Sequence, residues 1–159
     1  MIKKQKPVPG DIVKVKIDES MHTYARILNY TDFAFYDALT SEDIKAVEEI
    51  VSKPILFKAI VNDRGVEDGL WPIIGNVPLE DSLMNSTYYL PDIVDPSHFR
   101  IRENVKIREA SREECVGLEV GVIWDPIHIE QRLKDHYEGN ENIGLKTLDI
   151  LENYKLGRD

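Results

Sequence analysis

Cysteine is nearly absent: Cys115 is the one thiol in 159 residues. A single cysteine cannot close an internal disulfide, which excludes a disulfide-stapled scaffold and agrees with a reducing compartment. No apolar run approaches the ~20 residues a membrane span needs. The opening Met1-Ile2-Lys3-Lys4-Gln5-Lys6-Pro7 leads into polar sequence, not into a signal-peptide hydrophobic region. A cytoplasmic protein is expected.

Basic charge is also short. Against 29 acidic side chains stand 20 Lys and Arg, a net charge of −9. Nucleic-acid affinity is largely phosphate neutralisation by Lys and Arg, so this balance argues against such a binder and for a basic partner. The shortage is local as well. Between Arg64 and Arg100 there is no Lys or Arg, while Glu67, Asp68, Glu80, Asp81, Asp92 and Asp95 all fall there. The bland reading of this stretch is a solvated, loop-rich surface.

Motifs of catalysis and ligation are missing too. The glycines form no dinucleotide-binding or Walker pattern and no Gly-x-Ser-x-Gly elbow. Zinc sites announce themselves by paired ligands such as His-x3-His or Cys-x2-Cys, and His22, His98, His128 and His136 make no such pair. On a helix, His128 and His136 would stand about 80° apart and ~12 Å along the axis, too far to share an ion. The most enzyme-like set is Cys115 with His128, and Asp125 or His136 nearby, because a thiolate needs an adjacent imidazole. Cys115 has no local signature, however, and a lone cysteine is usually a small buried hydrophobe.

What is present is a clear strand, helix start and helix stop between Gly117 and Gly139. Leu118, Val120, Val122 and Trp124 alternate with other residues, the period of a half-buried strand. Asp125 is suited to cap a helix, Pro126 to its first position and Gly139 to its end. Ile129, Leu133 and Tyr137 recur four apart as a core stripe, with Glu130 and Lys134 on the wet side. Trp124 reads as core.

From the start, residues 1–9 read as a flexible basic leader and residues 10–159 as one domain. Val13, Val15 and Ile17 alternate with Lys14 and Lys16, and Thr23 to Leu28 and Asp32 to Tyr36 read as two more strands joined through Asn29-Tyr30-Thr31. Short connections make this an antiparallel meander. A helix is expected from Thr40 or Ser41 through Val51, ended by Pro54. Ile55 to Val61 reads as a strand, Asn62 to Gly65 as a turn, and Trp71 to Asn76 as a short edge strand. Tyr88-Tyr89 sits in another short strand. Phe99, Ile101, Val105 and Ile107 share a face, with Arg100, Arg102, Lys106 and Arg108 opposite and a turn or bulge near Glu103-Asn104. That basic row could grip an anion or be ordinary sheet surface. Ser111 to Glu114 is a capping box, and Leu145, Leu148 and Leu151 indicate a final helix. The sum is an α+β fold, mainly antiparallel sheet with two or three helices packed on it.

Gly10-Asp11-Ile12-Val13, Tyr24 to Leu28, Phe35-Tyr36-Asp37 and above all Val122 to Tyr137 with Gly139 and Asn140 resemble the immunity protein 26 family of bacterial polymorphic toxin systems. The resemblance runs from about Gly10 to Leu145, its C-terminal part being the more specific. It implies a cytoplasmic, non-enzymatic protein, without cofactor, that protects a cell by binding a cognate toxin. If that toxin cuts nucleic acid it carries a basic cleft, which an acidic inhibitor reaches by electrostatic steering. The six acids from Glu67 to Asp95 would meet it, with Trp71, Tyr88 and Tyr89 as aromatic anchors. Two other readings stand beside this one: a small enzyme using Cys115 and His128, and an adaptor docking on some other basic protein.

Overall fold

The computed structural model describes residues 4–29 and 31–148. Leu151 of the expected final helix, Tyr30 of the expected turn and residues 1–3 of the expected leader lie outside them.

Three strands, β1 (Asp11–Lys16), β2 (His22–Ile27) and β3 (Asp32–Tyr36), form the expected meander. Alternation of side chains sends Val13, Val15, Ala25, Ile27, Phe33 and Phe35 to one face. The opposite face carries Ile12, Tyr24, Tyr36 and the fully buried Arg26. Both faces are covered, which is why every residue of β2 and β3 is buried. A fourth strand, β4 (Ile55–Val61), pairs antiparallel with β3, and β5 (Ile73–Asn76) pairs with β1 at the sheet edge, where Pro72 costs no ladder bond.

The helix expected from residue 40 is shorter, α1 (Val47–Val51). Thr40 instead exchanges two 2.9 Å backbone bonds with His22, and the Tyr24 hydroxyl accepts the Ile44 N–H at 2.9 Å. These long-range contacts hold residues 40–46 out of the helical path. The turn after β4 tightens into α2 (Arg64–Glu67). Against it lie residues 4–9: Gln5 donates to the carbonyls of Val66 and Trp71 and accepts the Ile73 N–H, so the segment read as a leader is tied down here.

A second, four-stranded sheet is built from β6 (Thr87–Pro91), β7 (Phe99–Glu103), β8 (Lys106–Ala110) and β9 (Glu119–Val120). The capping box forms as expected and starts α3 (Arg112–Cys115). The continuous strand expected from Leu118 to Trp124 does not form. It divides at Gly121: β9 pairs parallel with β6 in the second sheet, and β10 (Ile123–Trp124) pairs parallel with β4 in the first. At the crossing the Gly121 N–H donates to the Tyr89 carbonyl at 2.7 Å, and only a residue without a side chain fits so close to β6. A Cβ there would stand 2.6 Å from Leu90 Cδ2 and 3.1 Å from Tyr88 Cβ.

From β10 the chain enters α4 (Pro126–Glu138), capped by the Asp125 carboxylate on the Ile127 N–H at 3.0 Å and closed by Gly139 at φ 73°. Ile129 and Leu133 pack on the first sheet with Trp71 and Trp124. Glu130, expected in water, instead accepts the Trp71 indole N–H at 2.9 Å. Arg132 is buried across the two sheets. Its guanidinium makes two 2.9 Å bonds to the Glu119 carboxylate of β9 and lies 3.5 Å from the centre of the Phe57 ring. The last described helix, α5 (Ile143–Leu148), follows.

Candidate functional site

The fold sends the six carboxylates of the acid-rich stretch to three places. Glu67 and Asp68 lie at α2, beside Trp71 on the α4 side of the first sheet, where Lys4 pairs with Asp68. Glu80 and Asp81 lie beyond the opposite face. There Arg26 donates to Glu80 at 2.9 and 3.1 Å and to the Val77 carbonyl at 2.8 Å. Partial burial works against Glu80 ionising, but the Arg26 hydrogen bond, a backbone N–H bond and the Arg26 charge together hold the carboxyl below its ordinary range. Asp92 and Asp95 lie in the β6–β7 loop of the second sheet.

Trp71, Tyr88 and Tyr89 are not surface anchors. They are 0%, 1% and 4% exposed. Trp71 meets Phe33 and Phe35 edge-on, Tyr88 donates to Asp32 at 3.3 Å, and Tyr89 belongs to the core of the second sheet. Each lies near acids in the sequence, but apolar area on this scale is what holds a sheet to its neighbours.

The β6–β7 loop is different. Ile93 and Val94 at its tip are 96% and 93% exposed, and the loop is held by its own polar groups. Asp92 Oδ1 accepts the N–H groups of Val94 (2.9 Å) and Asp95 (3.1 Å). Asp95 accepts the Ser97 N–H (3.0 Å) and hydroxyl (2.6 Å). His98 stands between two carboxylates, 2.8 Å from Asp92 through Nδ1 and 2.7 Å from Glu109 through Nε2. With an acceptor at both ring nitrogens the imidazolium is favoured, and Asp92 first, then Glu109, raises the His98 pKa. In return the His98 hydrogen bond, with the Asp95 and Val94 amides, brings the Asp92 carboxyl down to about 2. The sequence signal for this loop is a pair of β-branched aliphatics, Ile93 and Val94, set between two aspartates.

The basic row is divided by the hairpin. In the β7–β8 register Arg108 faces Ile101 while Arg102 faces Ile107, and Asn104 at φ 57° makes the turn. Arg100 and Arg102 therefore lie on one face, Lys106 and Arg108 on the other. Arg108 pairs with Glu114 at 2.8 Å, and Arg102 lies over the Tyr88 ring at 5.7 Å.

Cys115 and His128 are not brought together. Cys115 is fully buried among Tyr89, Phe99, Ile101 and Val120, and burial, then the Glu114 charge, pushes its thiol pKa up. His128 is exposed on α4, at the edge of a cleft of about 650 Å³ between α4 and α5. Among the described residues no three His, Cys, Asp or Glu side chains are grouped to hold a metal ion, and no helix is long and apolar enough to cross a membrane.

Comparison with curated proteins and with solved structures gives no match. Residues 8–92 match the family described as immunity protein 26. The matched stretch takes in β1 through β6 and stops at Asp92. The Val122 to Tyr137 segment, which carried the more specific part of the resemblance in sequence, lies beyond it. Covering more than half of the chain, the match places it plainly: this protein belongs to the immunity protein 26 family.

Proposed function

We propose that this protein neutralises a cognate bacterial toxin, a basic one and of the nucleic-acid-cutting kind, by stoichiometric binding in the cytoplasm. In this reading residues 10–159 act as one unit and the β6–β7 loop makes the contact. Ile93 and Val94 enter an apolar notch of the toxin while Asp92 and Asp95 meet its basic rim. Asp81 and Glu67 extend the acidic field that steers the approach.

The observation that carries this reading is the pair of adjacent aliphatic side chains, almost wholly in water, on a loop already ordered by its own hydrogen bonds. Exposed aliphatics contribute nothing to the fold, whereas in a complex each contributes about 1.5–3 kcal/mol on burial. A preformed loop loses little further entropy on binding. The family supplies the class of partner, and the net charge of −9 supplies the sign.

The test pairs this protein with its cognate toxin domain. Ile93→Ser with Val94→Ser should weaken binding at least about a hundredfold and abolish protection, with thermal stability unchanged. Asp92→Asn with Asp95→Asn should slow association and flatten its salt dependence. Full protection and unaltered affinity in the Ile93/Val94 double variant would remove the loop from the interface. Catalytic consumption of the toxin, or protection far below one equivalent, would remove the stoichiometric mechanism.

A further inference from the structure

The hairpin of β7 and β8 treats the basic residues of its two faces differently. On one face Arg108 has two carboxylates, Glu114 at 2.8 Å and Glu103 at 3.7 Å. On the other stand Arg100 and Arg102, and among the described residues no carboxylate lies within ion-pair distance of either. This is unusual in a chain with 29 acidic side chains to offer. One of them is even in position: Glu109 lies directly across from Arg100, but it turns to the His98 ring at 2.7 Å.

A second observation concerns how the two side chains are held. Both are half-buried, and the Nε of each is packed out of water with no acceptor. Their outer Nη groups are not buried in this way and carry no hydrogen bond among the described residues. Burial of each Nε fixes the stem while the end stays open: Arg102 lies over the Tyr88 ring at 5.7 Å, and Arg100 is opposite Leu90 of β6. Residues two apart on a strand stand about 6.6 Å apart on one face, a spacing at which two guanidinium forks can converge on one group of oxygens. Ile107, across from Arg102 and 54% exposed, adds an apolar neighbour.

We propose that Arg100 and Arg102 form a site for the phosphate group of an organic phosphomonoester whose apolar part lies on Ile107. Two unpaired guanidiniums carry two positive charges, which match a doubly charged phosphate better than a singly charged carboxylate. The three terminal oxygens of the phosphate accept from the open Nη donors. Glu109 bounds the site, and its bond to His98 keeps it from taking the place of the ligand on Arg100. The site does not rest on the toxin reading, and none of the substitutions below falls on the β6–β7 loop, so the two can fail separately.

The experiment uses the full chain with ¹⁵N-labelled arginine and methyl-labelled isoleucine, titrated with phenyl phosphate and, at matched ionic strength, with benzoate. Benzoate keeps the ring and carries a single charge. Binding of phenyl phosphate should be weak, on the order of millimolar. The Arg100 and Arg102 Nε–H signals and the Ile107 methyls should shift and saturate while the Arg108 signal stays still, and benzoate should bind about tenfold less tightly. Arg100→Gln and Arg102→Gln, read at the Ile107 methyls, should each weaken phenyl phosphate about tenfold, and Arg108→Gln should leave it unchanged. Ile107→Ser should bring phenyl phosphate down to the affinity of inorganic phosphate. The comparison of phenyl phosphate with benzoate needs only the unaltered chain, so it decides the matter whether or not a variant folds. No saturable shift at tens of millimolar overturns the proposal, as does equal binding of benzoate. It is equally overturned if Arg108→Gln weakens binding as much as Arg100→Gln, which would assign the attraction to the charge of the hairpin as a whole.

Discussion

Arg132 and Glu119 offer the sharpest test of how the two sheets are joined. The guanidinium and carboxylate are 9% and 18% exposed and meet through two parallel 2.9 Å bonds, one partner on α4 and the other on β9. Removing one partner leaves the other charge in a place built to exclude water, which costs about 3–5 kcal/mol. Arg132→Met keeps most of the volume over Phe57 but strands Glu119. Glu119→Gln strands Arg132, whose remaining close neighbours are the Phe57 and Trp124 rings. Each single substitution should therefore lower the unfolding free energy by ~3 kcal/mol or more, and the melting temperature by roughly 6–15 °C for a chain of this length. The double substitution Arg132→Met with Glu119→Gln should recover much of that loss, because no charge is then left unpaired. Urea unfolding of the four proteins closes a double-mutant cycle, with an expected coupling of about 2–3 kcal/mol. Arg132→Lys should behave like a deletion, since a single ammonium cannot make the paired bonds. Losses under 1 kcal/mol, or additive ones, would show that the pair only decorates a junction held by packing around Val122 and Leu148.

The His98 clasp sets a pH window. Its pKa is raised above the ordinary 6.5, so its support of the loop is complete below 6.5 and is lost as pH rises through the raised value. Asp92 works in the opposite sense, contributing above its ordinary 3.8 and losing that contribution as pH falls through about 2. An NMR titration of the His98 ring should give a value above 6.5 that drops in Asp92→Asn, and an unmoved value would discount the Asp92 contact. Gly121→Ala should destabilise by about 1–3 kcal/mol through the added methyl against Leu90 and Tyr88. Leu90→Ala should restore part of it in thermal melts, and a neutral Gly121→Ala would mean the crossing point is roomier than the 2.6 Å approach implies. Cys115, fully buried, should react with a thiol reagent only on unfolding, and Cys115→Ala should cost roughly 1 kcal/mol while leaving toxin protection intact. Rapid labelling of the native protein, or protection lost with the thiol, would favour the enzyme reading.

Much of this fold could be read from local pattern, because its elements are set by forces that act over a few residues. The meander follows from alternation in Val13, Val15 and Phe33, Phe35. The start and stop of α4 follow from Asp125, Pro126 and Gly139, and α3 from the Ser111 capping box. Where distant segments compete for the same backbone groups, local pattern was not enough. Thr40 bonds to His22 and shortens α1, and Tyr89 takes the Gly121 N–H and divides one apparent strand between two sheets.

The candidate surface shows the same division. Acidic composition between Arg64 and Arg100 is a property of the sequence, and so is the pairing of Ile93 with Val94. Which carboxylates stand together is a property of the sheet, whose two faces put Glu67 and Glu80 on opposite sides. Burial of Trp71, Tyr88 and Tyr89 and exposure of Ile93 and Val94 were likewise decided by packing, because a side chain's distance from water depends on neighbours that only the folded chain brings near.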